Sequence, residues 1–221
     1  MRLIDLSQPL YHECPNCPVH PLVQAEIAAD HPTDSWRMEA ISLVSHTGSH
    51  LDAPLHKLAG GMSIDEYPLE AFVGPAYILD LRGSEPDRPL DAAVLQESVN
   101  QLGVVTLQDS IVLLATGWGD RRAREDEWLY HSPFVTPDGA QWLAEQQIRG
   151  IGIDHYSVGG SREPLNAETH EVLLSRKIWI VEELRFPEEV FTLPQPHQFW
   201  ALPINFRGFS GSFCRPVLVV G

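Results

Sequence analysis

The chain has 221 residues, of which 43% are hydrophobic and 20% charged, and its formal net charge is −15 at pH 7. These values fit a single domain spanning residues 1–221 with a substantial core, and they exclude a disordered chain. The charge argues against nucleic acid and anionic membranes as partners, and no apolar stretch approaches the ~20 residues that span a bilayer, so a cytoplasmic location is expected.

Predicted strands and helices alternate along the middle of the chain. Apolar runs and apolar–polar alternation predict strands at residues 2–7, 36–45, 76–81, 111–115, 151–153 and 178–181. A proline-bearing loop is expected before residue 36, and extended chain from Trp200 onward. Ser63 and Glu66 form a capping-box pattern that predicts a short helical turn. Longer helices are predicted at residues 91–102, from Thr136 as N-cap to residue 147, and after Asn166 as N-cap. This order favours an α/β domain with a mixed sheet.

The segment that follows the second predicted strand concentrates more reactive chemistry than any other. Three histidines and an aspartate lie within eleven residues: His46, His50, Asp52 and His56. Imidazole and carboxylate ligands together suit zinc, manganese or non-haem iron. Gly48 and Pro54 argue against a continuous helix, so these side chains are expected at a strand end and on the loop that leaves it. The alternative is an incidental cluster of surface histidines.

Four further residues are candidates for the same centre. Glu182 ends an apolar predicted strand, so its charge needs a cation or a hydrogen-bonding partner unless solvent reaches it. His170 lies on a partly apolar helix face, where it is either a ligand or a satisfied core residue. Asp154 and His155 follow another predicted strand and could approach the same point.

Two closely spaced cysteines allow opposite interpretations. Cys14 and Cys17 are separated by two residues, as in a redox dithiol or half of a zinc site. Structural zinc needs a second pair, and Cys214 alone does not provide one. The other interpretation is two small residues in a proline-rich loop, and an odd number of cysteines fits reduced thiols.

The histidine run resembles the His-x-Gly-Thr-His-x-Asp-x-Pro-x-His signature of the metal-dependent cyclase and hydrolase family, which includes bacterial kynurenine formamidases and isatin hydrolases. Ser49 replaces the usual threonine, and every other defined position matches. Weaker agreement extends over most of the chain, from residues 2–7 to residues 211–217. The resemblance implies a swivelling β/β/α fold with a barrel-like sheet. It also implies a homodimer or higher homo-oligomer whose pockets borrow loops from a neighbouring subunit.

The resemblance also implies a role for individual residues. One divalent ion would be held by His46, His50 and Asp52. A second would be held by His170 and by Asp52 and Glu182, which would bridge the two ions. His56 matches the proton donor or acceptor of the family. Family members use zinc or manganese, with one or two ions per subunit, and zinc is the first expectation here.

Two positions depart from the family pattern and bear on the substrate. His20 stands where the formamidases carry a tryptophan that packs on the substrate. His155 follows Asp154 where the family has a smaller residue. The resemblance therefore identifies a family and a kind of chemistry, but it does not identify the substrate.

Together these residues predict a metal-dependent hydrolase that cleaves an amide-type C–N bond in a small molecule, such as an aryl formamide, a lactam or a related cyclic amide. The metal would generate hydroxide, and His56 would shuttle a proton to the leaving nitrogen. No Gly-x-Ser-x-Gly motif is present, which disfavours a covalent acyl-enzyme. Three alternatives remain at this point: a cyclase or lyase, a lactone hydrolase on the same site, and a metal- or ligand-binding protein without catalysis.

Overall fold

The computed structural model describes all residues, Met1–Gly221. Its helices are α1 (Ala92–Gln101), α2 (Asp126–Tyr130), α3 (Pro137–Glu145) and α4 (Leu165–Ser175). None of them is long and apolar enough to cross a membrane. The strands are β1 (Arg2–Asp5), β2 (Gln24–Ala29), β3 (Met38–Ser42), β4 (His50–Asp52), β5 (Val73–Asp80), β6 (Pro89–Leu90), β7 (Ile111–Ala115), β8 (Phe134–Val135), β9 (Gly150–Ile153), β10 (Trp179–Glu182), β11 (His197–Trp200), β12 (Gly211–Phe213) and β13 (Val217–Val220).

Nine strands form one strongly curled sheet, in the order β1-β13-β11-β5-β7-β9-β10-β4-β12. The central strands β5, β7, β9 and β10 run parallel to one another. The flanking pairs are antiparallel, including β4 with β10 and β12 with β4. The predicted α/β domain with a mixed, barrel-like sheet is therefore confirmed.

The side chains of the central strands alternate between two cores. In β7, Val112 and Leu114 belong to the core beneath the helices, while Ile111 and Leu113 belong to the core on the opposite face. All five residues of this strand are buried, as its continuous apolar sequence predicts for a strand covered on both faces. Helices α1, α3 and α4 pack side by side over the first core. The sheet is thus held rigidly from both sides.

Strands β2 and β3 form a separate antiparallel hairpin outside the main sheet. We call residues 24–42 the hairpin arm. The strand predicted at residues 36–45 is confirmed for Met38–Ser42, but every residue of it is exposed. The expectation of a loop throughout the preceding segment was wrong, because β2 lies there. Apolar residues occupy both faces of the arm, so neither face is committed to the core.

The helix caps agree with the sequence except at α4. The capping box of Ser63 and Glu66 is present, and the Thr136 side chain accepts a hydrogen bond from the Gly139 backbone nitrogen. The predicted N-cap at Asn166 was wrong. The helix begins at Leu165, so Asn166 is already its second residue. The Glu163 carboxylate accepts a hydrogen bond from the backbone nitrogen of Ala167. A carboxylate from the preceding turn therefore takes the role that the sequence assigned to asparagine.

Candidate metal centre

Two antiparallel strands bring together residues that are far apart in sequence. In the pairing of β4 with β10, His50 lies opposite Glu182, and Asp52 lies opposite Ile180. Because residues two apart on a strand share a face, these side chains project towards the helices. Leu51, between the two β4 residues, belongs to the core on the other face. Helix α4 packs against β10 and adds His170 to the same side.

The four side chains face one another at short range. His50 Nε2 lies 3.4 Å from Asp52 Oδ1 and 3.5 Å from Glu182 Oε2. His170 Nε2 lies 3.4 Å from Glu182 Oε1 and 3.8 Å from Asp52 Oδ2. All four residues are buried, and Asp52 Oδ2 has no hydrogen-bond partner. An unpartnered buried carboxylate oxygen is expensive, which indicates that a further positive group completes this cluster.

Backbone carbonyls orient two of the imidazoles. His50 Nδ1 lies 2.7 Å from the Gly48 carbonyl oxygen, and His170 Nδ1 lies 2.8 Å from the Asn166 carbonyl oxygen. A carbonyl only accepts hydrogen bonds, so Nδ1 is the donor in both pairs. Both Nε2 atoms are thereby aimed at the carboxylates. This arrangement of an orienting partner behind each ring is the one found around metal-binding histidines.

His46 reaches the cluster from the loop before β4. Its Nδ1 lies 2.6 Å from Asp52 Oδ1, and its Nε2 lies 2.9 Å from Ser210 Oγ. Gly211 makes room for this ring, because a Cβ atom there would lie 2.5 Å from His46 Cε1. Both ring nitrogens of His46 therefore contact side chains of the protein at hydrogen-bond distance, whereas Nε2 of His50 and of His170 lies 3.4 Å or more from the carboxylates it faces.

His56 closes a single 3-10 turn, Pro54–His56, at the open side of the cluster. Its ring centroid lies 3.9 Å from that of His46 and 5.9 Å from that of His170. One potential ligand atom from each of His46, Asp52 and His56 lies within 4.8 Å of the others. The residue is exposed. His56 is therefore the member of the cluster that a molecule arriving from solvent meets.

The electrostatics of the cluster favour added positive charge. Burial opposes ionisation of Asp52, but the imidazoles of His56 and His46 hold its pKa well below the usual range. Burial also opposes protonation of His50, yet its hydrogen bond with Asp52 and the nearby carboxylate charges raise its pKa to about 9. The pKa of His170 is raised to about 9, where Glu182 overcomes the same effect of burial. His56 is exposed as a residue, but the desolvation of its ring against the neighbouring imidazoles lowers its pKa to about 4.

The cluster forms the floor of an open cavity of about 310 Å³. One wall consists of Cys17, Val19 and His20 from the N-terminal loop. The remaining lining is largely polar and comes from Lys57, the segment after β9 and the first turns of α4. Lys57, Ser157 and Asn166 were not predicted as lining residues, since only the packing of loops against α4 brings them together.

The donor set fits a divalent cation. It combines imidazole nitrogens with two buried carboxylates, and the unpartnered Asp52 Oδ2 lies 3.8 Å from His170 Nε2. The alternative of incidental surface histidines is excluded, because His50 and His170 are buried among carboxylates. The alternative of a solvated Glu182 is excluded as well, because only 3% of this residue is exposed.

Asp154 and His155 do not reach the centre. Asp154 accepts hydrogen bonds from the Thr116 hydroxyl and from the Gly117 backbone nitrogen. The His155 ring is hydrogen-bonded to Ser132 Oγ and to the Trp128 carbonyl oxygen. Both side chains are occupied within the core, so the expectation that they could approach the metal ligands was wrong.

The cysteines are also separate from the donor set. Cys14 is buried and Cys17 is partly buried, and both are free thiols. Burial raises the pKa of the Cys17 thiol to about 11. Neither cysteine belongs to the two groups of side chains whose ligand atoms converge within 4.8 Å. Cys17 therefore contributes to the cavity as a small wall residue.

Comparison with known proteins identifies the family. The model of the Cyclase family, described as "Putative cyclase", matches residues 4–159, which is more than half of the chain. The chain belongs to this family. A kynurenine formamidase from Salinibacter ruber is 29% identical over 99% of the chain and 97% of that relative.

Solved structures show the same cyclase-family fold. Isatin hydrolase A from Labrenzia aggregata, bound to benzyl benzoate, superposes with a TM-score of 0.83 at 26% identity, over 99% of this chain and 93% of that one. A structure described as a potential metal-dependent hydrolase with cyclase activity has a TM-score of 0.75 at 26% identity, over 98% of this chain and 96% of that one. The family resemblance of the histidine run is thus confirmed.

Proposed function

We propose that this cyclase-family protein is a metal-dependent hydrolase that cleaves an amide-type C–N bond in a small molecule, outside peptide chains. The observation that carries the proposal is the buried pair of carboxylates, Asp52 and Glu182, faced by imidazoles at the floor of an open cavity. The formamidase and isatin hydrolase relatives support hydrolysis of a non-peptide C–N bond.

The proposed ligands divide into two sets that share Asp52. His46, His50 and Asp52 would hold one divalent ion, and His170 with Asp52 and Glu182 would hold a second where two ions bind. Zinc is the first candidate, because it accepts nitrogen and carboxylate ligands in small coordination numbers, and manganese is the alternative. When bound, such an ion polarises a carbonyl and lowers the pKa of water towards about 7.

His56 carries out the proton transfer that amide cleavage needs. Water adds oxygen to the carbonyl carbon, the C–N bond breaks, and the departing nitrogen must gain the proton that water loses. An amine leaves poorly unless it is protonated. His56 stands at the open side of the cluster, against the ring of His46. A positioned imidazole contributes about 10²–10⁴-fold in rate.

The cavity favours a small substrate with polar groups. Its volume is about 310 Å³, at the lower end of ordinary ligand sites. Tyr156 lines it, with its hydroxyl group held by the Leu129 carbonyl oxygen, so the ring is a fixed apolar surface. An aryl formamide, a lactam or a related cyclic amide would place its amide group at the cluster on the cavity floor and its ring against Tyr156.

We also propose that the protein works as a homodimer in the cytoplasm. The hairpin arm exposes large apolar side chains, including Ile27, Trp36, Met38 and Ile41, which a second copy would cover. Light scattering after gel filtration tests this, and Ile41→Asp should shift a dimer towards monomer.

The proposed location in the cytoplasm rests on the cysteines. The three free cysteines fit a reducing compartment. Fractionation of the source cells tests the location.

Metal analysis followed by a substrate screen tests the main proposal. The purified protein should contain a divalent metal and should hydrolyse at least one N-formyl-aryl amide, lactam or imide in a panel that also includes lactones, and hydrolysis of the lactones alone would contradict the proposed C–N cleavage. Activity should disappear on chelation and return with zinc or manganese. Reaction in H₂¹⁸O should place one solvent oxygen in the product carboxylate. A metal-loaded protein that converts none of the panel, or a product without solvent oxygen, contradicts the proposal and favours a binding protein or a lyase.

A further inference from the structure

One wall of the cavity is built from chain that has no regular structure of its own. Residues 8–23 form neither helix nor strand, and they carry Cys17, Val19 and His20 into the cavity lining. We call this segment the wall loop. A wall made of irregular chain keeps its shape only where the rest of the protein holds it. What holds the wall loop therefore bears on substrate binding.

Arg122 is attached to the wall loop at two places. Its Nη1 donates to the Pro9 carbonyl oxygen at 2.9 Å, and its Nη2 donates to the Pro15 carbonyl oxygen at 2.6 Å. Its Nε donates to Glu183 Oε2 at 2.8 Å. The two charged side chains are almost completely buried, with 5% and 1% of their surfaces exposed. The planar guanidinium thus donates from Nε to a carboxylate and from its two Nη atoms to the loop backbone. Lysine has a single side-chain nitrogen and cannot reproduce this arrangement. We call these contacts of Arg122 with Glu183, Pro9 and Pro15 the clamp.

Glu183 connects this clamp to the strand that carries the metal site. It follows Glu182 directly at the end of β10, and its backbone nitrogen donates to the His155 carbonyl oxygen. Its own carbonyl oxygen accepts a hydrogen bond from Ser49 Oγ, which in turn accepts one from the backbone nitrogen of Gln8. The clamp is therefore fixed to β10 on one side and to the start of the wall loop on the other.

We propose that Arg122 is a positioning residue, which sets the distance between the wall loop and the metal site and thereby the affinity for substrate. The inference rests on the proposed function. Arg122 does not line the cavity, so its effect passes through Cys17, Val19 and His20.

Kinetics of Arg122→Ala test the inference with Arg121→Ala as the matched control. Arg121 is the preceding residue, but about half of its side chain is exposed and it pairs with Glu127 on the surface. Arg122→Ala should raise KM about 10-fold or more, the factor that one hydrogen bond from a charged donor is worth, and should leave kcat within about 3-fold. Metal content should not change. Added ethylguanidinium should restore KM, and Arg121→Ala should match the wild type throughout.

Hydrogen exchange of peptides from the wall loop provides a readout that needs no substrate. Arg122→Ala should speed exchange in residues 9–20 and leave β7 protected. If that variant does not fold, Arg122→Ala combined with Glu183→Gln removes the unpaired charge and takes its place. A fall in kcat at unchanged KM, or unchanged exchange in the wall loop, would overturn the inference. A wild-type protein without hydrolytic activity contradicts the proposed function instead. The exchange experiment then tests by itself whether Arg122 holds the wall loop in place.

Discussion

Glu182 and Glu183 are consecutive buried carboxylates that the fold compensates in two different ways. Glu182 lies on the helix-facing side of β10, where the imidazoles of His50 and His170 meet it. Glu183 lies just past the strand with a positive φ of 53°, and it meets the guanidinium of Arg122. The partners of Glu182 are imidazoles, which can release a proton, whereas the partner of Glu183 is a guanidinium, which does not.

The difference explains why only one of the two belongs to a candidate metal site. A neutral imidazole offers a lone pair to a metal ion, so the histidines around Glu182 can give up protons when a cation binds. A guanidinium offers only donors and repels a cation. The partner of a buried carboxylate, rather than its burial, therefore separates a metal ligand from a structural anchor.

Substitution of the two glutamates should give the largest difference, which is a difference in metal affinity. Glu182→Gln should weaken metal binding by more than about 100-fold, because it removes a proposed ligand where even orienting residues are worth about 10–100-fold. Turnover should fall with metal content. Glu183→Gln should keep its metal. Competition titration with a chromogenic chelator measures both affinities. A metal affinity that is unchanged in Glu182→Gln would falsify the assignment of this residue.

His56→Ala sharpens the contrast within the site, between holding the ion and moving the proton. It should lower kcat by about 10²–10⁴-fold, because the leaving nitrogen loses its proton donor. Metal content should stay at the wild-type level, as measured by mass spectrometry of the bound element. Normal turnover in His56→Ala removes the proton-transfer role. Loss of metal in that variant instead makes His56 a ligand.

The Arg122–Glu183 pair should show a large stability effect that the metal site does not share. Arg122→Ala leaves a buried carboxylate unpaired, which costs about 3–5 kcal/mol. The double change with Glu183→Gln should recover a substantial part of this loss. Urea unfolding of the single and double variants measures the coupling. Arg121→Ala removes a surface ion pair and the contact of the guanidinium with the Trp118 ring, and it should cost no more than about 1–2 kcal/mol. Equal losses in the buried and surface variants contradict the comparison.

His155 provides a buried titratable group that has no charged partner, and its effect depends on pH. Burial lowers its pKa to about 4, below the ~6.5 of an unfolded chain, so the unfolded state takes up a proton first as pH falls. The contribution of the neutral His155 ring to the free energy of unfolding is therefore complete above about pH 6.5, and it is lost as the pH falls towards 4. Stability should drop by about 2 kcal/mol from pH 7 to pH 5 on this account.

His155→Asn should remove that part of the pH dependence, measured as the difference in unfolding free energy between the two pH values. The exposed His31→Asn variant is the matched control and should keep the wild-type difference. The same slope in His155→Asn and wild type would show that another group is responsible. Ser132, whose hydroxyl group is hydrogen-bonded to the His155 ring, is the local partner to vary next.

Local patterns predicted the elements well where a short stretch of chain decides the structure. The apolar run 111–115 became a strand covered on both faces, and the Ser63 capping box is present. The failures have nonlocal causes. Asn166 lost its predicted capping role because the Glu163 carboxylate reached the helix start, and β2 was predicted as loop although it pairs with β3.

The histidine run determined by itself the kind of chemistry and the family, because ligand type and spacing are properties of a short segment. The family is confirmed, and the individual ligand roles stay predictions. Only the tertiary structure set Glu182 opposite His50 and joined Arg122 to Glu183, across more than 100 and 61 positions of sequence. Such pairs depend on strand register and loop packing, which many distant contacts decide together. The sequence therefore named the donors, and the fold decided which carboxylate faces imidazoles and which faces a guanidinium.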